Sequence, residues 1–451
     1  MSGIVPDFPP GPSGNGIAGR RLLLFEIWPG ETLITPTTQG AETPSPPGRG
    51  LRPLYAAETA NAVAAVLLVS GLSFYTHHRF GWDARENFTV AACQGAFYTL
   101  GALAARGISL RWGRRRSLLG LYALMTACAV AVGVAASGGR AVTAAILAVL
   151  ETGLVAASWP MLQSLVSAAG TPDRLSRRLG GYNILWSTTG AAAFAASGAV
   201  IQHAPAWAYF GIIAAGHLAA GLIILRFRPP AGPPPPPAAP PQPTTRGGDA
   251  PGDRARLRLA LWLSRIALPS TYVIVYTLAP ALPSLEAIAR LTPTEATLAG
   301  GVWLVARAAA FIVTGSTTFW HRRPGLLLAA SVAMILGFVG TVAGGGLTGA
   351  GLGPALAAMV AAQAVLGFSI GTIYAASLYF GMASSGGSTR HGGYHEALIG
   401  LGQVLGPLVG ASLQWAYPGT LWPAVAAVSA LVSVSVLLEA AVAIGARRHF
   451  S

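Results

Sequence analysis

Long apolar stretches recur along the chain and alternate with short polar connections. A helix needs about 20 apolar residues to cross the hydrocarbon core of a bilayer. Searching for such stretches predicts twelve membrane-spanning helices, six on each side of a proline-rich segment. The predicted spans are 53–77, 87–110, 117–137, 141–169, 179–202, 205–226, 257–281, 298–319, 325–344, 353–382, 395–416 and 421–446.

The segments outside these spans define the predicted domains. Residues 1–50 are rich in Pro, Gly and Thr, which is typical of a disordered tail. Residues 228–256 include a run of prolines that cannot bury a core, which is typical of a linker. We therefore expect an all-α membrane protein with one six-helix half over 51–227 and a second over 257–448.

The composition agrees with this class of protein. Hydrophobic residues make up 53% of the chain and charged residues 10%, whereas a soluble domain carries about 25% charged residues. The formal net charge of +14 comes from arginines that do not form one basic face, so no nucleic-acid partner is predicted. Cys93 and Cys128 lie singly in apolar segments, which predicts neither a disulfide framework nor a metal site.

The arginines also predict the orientation, because cytoplasmic connections of membrane proteins are enriched in basic residues. If the N-terminus is inside, the outer connections hold Arg79, Arg85, Arg140 and Arg290. We therefore expect both termini to be cytoplasmic, in the inner membrane. The predicted cytoplasmic side then holds Arg106, Arg111, Arg114, Arg115, Arg116, Arg174, Arg177, Arg178, Arg322, Arg323, Arg390, Arg447 and Arg448, besides the linker arginines.

An internal repeat relates the fifth and eleventh predicted helices. Under one offset of 212 positions, the segment 180–182 (Gly-Gly-Tyr) matches the segment 392–394. Gly190 matches Gly402 and Gly198 matches Gly410 under the same offset. A repeat of six helices in parallel topology is typical of the halves of transporters.

Two six-helix halves, a long central linker and a basic loop after the second helix resemble the major facilitator superfamily. The loop "RGISLRWGRRR" keeps Arg111, Gly113, Arg114 and Arg115 of the family signature G-x-x-x-D-[RK]-x-G-[RK]-[RK], but Leu110 replaces the aspartate. The resemblance implies secondary transport of a small molecule by rocker-switch alternating access, with these four loop residues in gating. The alternative is that the arginines only anchor the loop inside.

A second family pattern, G-x8-G-x3-G-P-x2-G, matches the eleventh helix at Gly393, Gly402, Gly406, Pro407 and Gly410. In the family it marks the fifth helix of many drug–proton antiporters, so antiport is not carried over to this chain. Glycines four residues apart share one helix face and let a neighbouring helix approach closely. We therefore predict close packing at Gly402, Gly406, Pro407 and Gly410, and at Gly190 and Gly198 in the fifth helix.

Ionisable residues at membrane depth need an explanation, since an arginine at a helix centre costs on the order of 3 kcal/mol. Arg307 is predicted to bind a substrate or a carboxylate; the alternative is a structural ion pair. Glu151 is predicted to be the acidic partner of Arg307 or a proton carrier. Glu58 is predicted either to couple protons in the cavity or to lie at the membrane interface. His395 and Glu396 mark either a favourable helix start or a gate.

The resemblance implies that helices 1, 2, 4, 5, 7, 8, 10 and 11 line a central cavity. His217 on helix 6 and Glu439 on helix 12 are therefore given local roles. Amides and aromatic rings orient small ligands in largely apolar pockets, although each can instead bond two helices together. With Arg307, the predicted substrate-binding residues are Asn61, Gln94, Tyr98, Asn183, Trp186, Tyr272, Tyr276, Trp303, Gln363, Tyr374 and Gln403.

The sequence predicts a transporter and not an enzyme. It shows no nucleophile elbow, no His/Cys cluster with metal-ligand spacing and no phosphate loop, so no cofactor or metal is expected. We expect a monomer in the lipid bilayer that binds a small molecule, with coupling to protons left open. The alternative is a membrane-embedded enzyme or assembly factor acting on a lipid or polyprenyl substrate, with His395 and Glu396 as its chemical pair.

Overall fold

The computed structural model describes residues 51–169, 175–227, 251–385 and 389–450. Within these ranges the side chains of residue 176 and of residues 251–255, 383–391 and 447–450 are not described. The predicted tail over 1–50 and the part of the predicted linker over 228–250 lie outside the described residues. All regular structure in the described ranges is helical.

Twelve helices in these ranges are long and apolar enough to cross a membrane, which confirms the predicted fold class and identifies an integral membrane protein. Single-turn segments are left unnumbered here. The helices are α1 (Leu51–Phe80), α2 (Ala84–Trp112), α3 (Arg114–Ser137), α4 (Ala141–Ala168), α5 (Leu175–His203), α6 (Ala206–Arg226), α7 (Pro251–Ala281), α8 (Pro293–Ser316), α9 (Gly325–Gly346), α10 (Leu352–Ser385), α11 (Thr389–Ala416) and α12 (Trp422–Phe450).

Two helices begin earlier than the apolar pattern predicts. Helix α7 begins at Pro251, so part of the predicted linker is helical. Helix α11 begins at Thr389, before its apolar stretch, and its first turn contains no acidic residue. The interpretation of Glu396 as a first-turn residue favoured by the helix dipole is therefore wrong, because two further turns precede it.

The two groups of six helices repeat the same internal packing. In the first group α1 packs on α6, α2 on α4, and α3 on α4 and α6. In the second group α7 packs on α12, α8 on α10, and α9 on α10 and α12. The groups meet where α2 packs on α11 and where α5 packs on α8. Since α2 corresponds to α8 and α5 to α11 in the repeat, these two contacts are equivalent. The structure is therefore pseudo-symmetric.

The repeated glycines contact equivalent helices in the two halves. Gly190 of α5 lies against Val66 of α1, and Gly402 of α11 lies against Val273 of α7. Gly198 lies against the first turn of α8, and Gly410 lies against Phe88 of α2. Since a side chain at any of these positions would overlap its neighbour, the glycines set how closely the helices approach.

Two helices depart from regular α-geometry beside the centre of the bundle. Helix α1 contains a π-helical segment, Leu67–Gly71, and its carbonyl groups accept hydrogen bonds from Gln94 and Tyr209. Helix α8 is interrupted at Gly301, between Pro293–Gly300 and Val302–Ser316. Gln363 of α10 bonds the backbone on both sides of this interruption. Side chains thus satisfy backbone groups that no water reaches.

We expect Gly406→Ala to lower thermal stability in detergent. Gly406 lies against the backbone of Val273, and an added methyl group would overlap the Val273 carbonyl oxygen. Overpacking of this kind costs about 1 to 3 kcal/mol. Gly120→Ala is the matched control, because a methyl group at this exposed helical position meets no atom within 4 Å. Equal melting temperatures for the two variants would contradict close packing at Gly406.

An aromatic cluster closes the connection between α8 and α9. The His321 ring stacks on Tyr379 of α10 with centroids 4.2 Å apart, and it meets Trp320 edge-on at 4.2 Å. Burial among these rings lowers the pKa of His321 from 6.5 to about 4. The folded protein therefore holds the imidazole neutral at pH values where the unfolded chain binds a proton.

This cluster predicts a pH dependence of stability. Because the unfolded chain takes up the His321 proton near pH 6.5 and the folded protein only near pH 4, stability falls as the pH drops through this window. The ring is partly exposed, so we expect a loss of about 1 kcal/mol at pH 5. Melting at pH 7.5 and pH 5 should show a smaller acid shift for His321→Phe than for the unmodified protein. Identical acid shifts would contradict the assignment.

Candidate functional site

A central cavity lies between the two halves of the bundle. Its walls come from α1, α2, α4 and α5 of the first half and from α7, α8, α10 and α11 of the second. These are the eight helices that the family resemblance implies. The side chains that carry polar or aromatic groups into it are Glu58, Ser70, Tyr98, Trp159, Tyr182, Trp186, Tyr272, Tyr276, Trp303, Arg307, Tyr374 and Glu396.

Arg307 is buried in this cavity between two indole rings. Its guanidinium carbon lies 4.4 Å from the ring centroid of Trp186 and 5.1 Å from that of Trp303. Its Nε donates a hydrogen bond to the hydroxyl of Ser187 at 3.3 Å. Among the described residues no acidic side chain lies within ion-pair distance of it. Aromatic faces attract a desolvated cation, so they hold the charge while leaving its terminal nitrogens free for a ligand.

Glu58 of α1 brings a carboxyl group into the same cavity. The side chain is 1% exposed, and Oε2 has no hydrogen-bond partner in the described part of the chain. Tyr182, Trp159 and Asn61 surround the carboxyl group. A buried acceptor without a donor is unfavourable, so Glu58 presents an unmet hydrogen-bonding capacity to whatever enters.

Glu396 of α11 makes polar contacts between the halves. Tyr98 of α2 donates its hydroxyl proton to Oε2 at 2.5 Å, and Gln163 of α4 donates from Nε2 to Oε1 at 2.5 Å. Both donors belong to the first half, whereas Glu396 belongs to the second. His395 points into its own half and hydrogen-bonds Ser377 of α10 at 3.1 Å. The neighbouring residues His395 and Glu396 therefore have different partners.

The two halves contact each other on both membrane sides of the cavity. We call the side where α1 begins at Leu51 the near side, and the side where α1 ends the far side. On the near side Gly180 of α5 lies against Gly315 of α8, and Glu396 bonds α11 to the first half. On the far side the Thr294 hydroxyl of α8 donates to Gln202 of α5 at 2.7 Å. The two halves therefore touch on both sides of the cavity.

The cavity is small. The volume open to the centres of water molecules is about 50 Å³, which is room for about four waters. Pockets that hold larger ligands are about 300 to 1,000 Å³. A bulky ligand would therefore require the side chains that line the cavity to move outward.

The predicted binding residues separate into two groups. Asn183 accepts a hydrogen bond from the indole of Trp186, Gln94 bonds α1 and Thr152, and Gln363 bonds α8. These three amides, with the buried Asn61 and Gln403, are not among the lining side chains. The predicted residues that the structure brings together around the cavity are Tyr98, Trp186, Tyr272, Tyr276, Trp303, Arg307 and Tyr374.

Sequence reasoning missed Trp159, Gln163 and Tyr182. Tyr182 belongs to the repeated Gly-Gly-Tyr segment, and that repeat is a signal that could have singled it out. Trp159 and Gln163 flank Pro160 on the near half of α4. No pattern in the sequence distinguishes them from other apolar-helix residues, because their importance arises from contacts with α1 and α11.

Glu151 lies outside the cavity and does not pair with Arg307. Its Oε1 is 3.2 Å from Nε2 of His217 on α6, and both side chains are fully buried. The expected ion pair between Glu151 and Arg307 is therefore absent, and Glu151 forms a local pair within the first half. Its suggested role as a proton carrier stays a prediction.

The basic loop after α2 contacts its own half. Gly113 adopts a positive φ of 78° and joins α2 directly to α3. Arg115 donates to the backbone carbonyls of Ile224 and Leu225 at the end of α6, at 3.3 and 2.6 Å. The Arg111 guanidinium lies over the ring of Trp112, and Arg114 is exposed. In this conformation Arg115 caps a helix, and a gating role for the loop stays a prediction.

Fold and cavity together define a class: a twelve-helix protein with the major facilitator architecture of two halves around a central cavity. A crystal structure of a point mutant of the nucleoside transporter NupG matches 87% of this chain and 99% of its own, with a TM-score of 0.58 and 13% identity. NupG is a member of the major facilitator superfamily, so the predicted fold is confirmed. At this identity the match shows the fold alone. Neither protein-family models nor curated protein sequences match the chain.

We expect Tyr98→Phe to destabilise the structure. The substitution removes a hydrogen bond between the halves, and hydrogen bonds to charged groups contribute about 1.5 to 3 kcal/mol. Tyr122→Phe is the matched control, because the buried Tyr122 hydroxyl has no partner among the described residues. Thermal melting in detergent should show a lower midpoint for Tyr98→Phe only. A Tyr122→Phe variant that melts equally early would contradict the prediction.

Proposed function

We propose that the protein is a secondary transporter that moves a small molecule across the membrane by alternating access. The observation that carries the proposal is the central cavity between two pseudo-symmetric halves, which contains Arg307 and the Glu58 carboxyl group, whose Oε2 has no partner among the described residues. Charged groups at membrane depth are expensive unless they have a function or a partner. A substrate supplies that partner when it binds.

The contacts at the two ends of the cavity support the alternation. Helices α2 and α11, and α5 and α8, meet through glycines such as Gly198 and Gly410. A glycine contributes no side chain of its own to the contact, so less side-chain packing has to be broken there when two helices separate. Opening the near side breaks the bonds from Glu396 to Tyr98 and Gln163, and opening the far side breaks the bond between Gln202 and Thr294.

The arginine distribution supports a definite orientation. We propose that the near side is cytoplasmic, that both termini lie there, and that the protein resides in the inner membrane as a monomer. Arg111, Arg114 and Arg115 on the near side match this orientation. Transport follows the gradient of the substrate or that of a coupled ion, and protons are the coupling ion to test first.

An enzyme acting on a lipid or polyprenyl substrate is less well supported. That hypothesis needs reactive groups at a membrane face, and His395 with Glu396 was its one pair. Both side chains are buried, 5% and 1% exposed, and Glu396 is bonded between the halves. A solved structure with the same fold, that of NupG, is a nucleoside transporter, which also points away from catalysis.

Transport by purified protein in liposomes tests the proposal. The panel should include nucleosides, because NupG is a nucleoside transporter, together with amino acids, sugars and organic acids, each with and without a pH gradient. For a transported compound we expect Arg307→Gln to lower uptake at least about tenfold, since a charge-assisted hydrogen bond contributes about 1.5 to 3 kcal/mol.

Arg140→Gln is the matched control, because Arg140 is exposed in the connection between α3 and α4, away from the cavity. It should retain uptake. Uptake by Arg307→Gln at the unmodified rate would contradict the assignment of the site. Failure of the protein to move any compound of the panel in either direction would contradict the proposed function.

A further inference from the structure

Three groups around the cavity lack a protein partner. Glu58 Oε2 is an acceptor without a donor, and the Trp303 Nε1 is a donor without an acceptor, in the part of the chain that the structure describes. Trp303 is 2% exposed. The Arg307 guanidinium bonds Ser187 through Nε, and its terminal nitrogens make no hydrogen bond to a described residue. Buried polar groups are nearly always paired, so these three indicate a missing ligand.

The cavity groups that lack partners include one cation, Arg307, and one carboxyl group, Glu58, which is negative when ionised. Glu396 is the second carboxyl group in the cavity, but Tyr98 and Gln163 occupy its two oxygens. Of the two carboxyl groups that line the cavity, Glu58 is therefore the one with an oxygen, Oε2, that has no donor among the described residues. Glu58 and Arg307 lie in different halves, on α1 and α8, so a single ligand that bonds both would join the halves.

The aromatic side chains of the cavity suit the same kind of ligand. Tyr374 lines the same cavity as Glu58 and Arg307. The hydrogen-bonding groups of Trp159 and Tyr182 lie near the Glu58 carboxyl group, so an ammonium group bound there would lie among aromatic side chains. Trp303 stands beside Arg307 and adds a donor at the positive end. Each end of the cavity is thus matched to a charge of opposite sign.

Resting on the proposed transport function, we infer that the substrate is a small zwitterion of the amino-acid type. Its carboxylate binds Arg307 and Trp303 Nε1, and its ammonium group binds Glu58 Oε2 beside Trp159 and Tyr182. The cavity volume of about 50 Å³ favours a short molecule, and an aromatic side chain requires the cavity rings to move.

Ligands with one charge or none fit the cavity less well. A neutral nucleoside can hydrogen-bond at both ends but leaves both protein charges without a counter-charge. A simple anion pairs with Arg307 and leaves Glu58 unpaired, and a simple cation does the reverse. An unpaired buried charge costs more than the loss of one hydrogen bond, so discrimination between these ligands should be measurable.

Binding to the purified protein tests the inference. The probes are L-alanine and L-phenylalanine, with phenylalanine methyl ester, which lacks the carboxylate, N-acetylphenylalanine, which lacks the ammonium group, and uridine. Isothermal titration and thermal shift measure binding, since a ligand of the folded state raises the melting temperature. We expect at least one zwitterion to bind and each capped analogue to bind at least about tenfold more weakly.

Two variants test which residue binds the ammonium group of the ligand and which binds its carboxylate. In Glu58→Gln the preference for free over N-acetylated phenylalanine should disappear while the preference over the methyl ester persists. In Arg307→Gln the preference for free phenylalanine over the methyl ester should disappear, while the preference over N-acetylphenylalanine persists. Glu151→Gln is the matched control, because it removes a buried carboxyl group outside the cavity, and it should keep both preferences. Elution as a single symmetrical peak in gel filtration establishes that each variant is folded.

Different results would contradict the zwitterion assignment and the proposed transport function. If uridine or another uncharged compound binds and is transported while no zwitterion binds, the zwitterion assignment is overturned and transport stands. Preferences that are unchanged in Glu58→Gln and Arg307→Gln also overturn it. If no compound of the wider panel is transported, the transport function itself fails.

Discussion

A guanidinium held between two indole rings at the centre of a membrane bundle is the constraint on which the rest of the structure depends. Arg307 cannot reach water from the middle of α8, so its charge must be stabilised where it stands. Trp186 and Trp303 provide that stabilisation from opposite halves. The interaction therefore holds α5 against α8 at the cavity wall and keeps the arginine in one position for a ligand.

The contacts between the halves on the near side of the cavity differ from those on the far side in the groups that make them. Both sides use glycines where α5 meets α8, Gly180 on the near side and Gly198 on the far side. The near side adds the Glu396 carboxyl group with its two donors, whereas the far side adds a neutral bond between Gln202 and Thr294. A carboxyl group beside the cavity can respond to protonation or to a ligand, and a neutral amide cannot respond to protonation. Alternating access, as proposed, would then be controlled mainly from the near side.

The fold was predictable from the sequence because membrane helices are specified locally. Each apolar stretch is itself the signal for a helix, and the repeat at 180–182 and 392–394 revealed the two halves. Seven of the predicted binding residues, including Arg307 and Trp186, do line the cavity. The partners of these residues were not predictable in the same way. Glu151 pairs with His217, and Glu396 bonds Tyr98 some 298 positions away, because such contacts depend on helix rotation, which apolar stretches do not encode.

The interruption of α8 at Gly301 divides one transmembrane helix into two segments that make different contacts. The segment Pro293–Gly300 contacts α5 at the far closure, and the segment Val302–Ser316 carries Trp303 and Arg307. The two segments make separate contacts, so the far closure does not involve the arginine side chain. The residues that close the far side and the residues that contact a ligand thus lie in different segments of α8. Over evolutionary time one set can change while the other is retained, which would let a single scaffold acquire new substrates without becoming leaky.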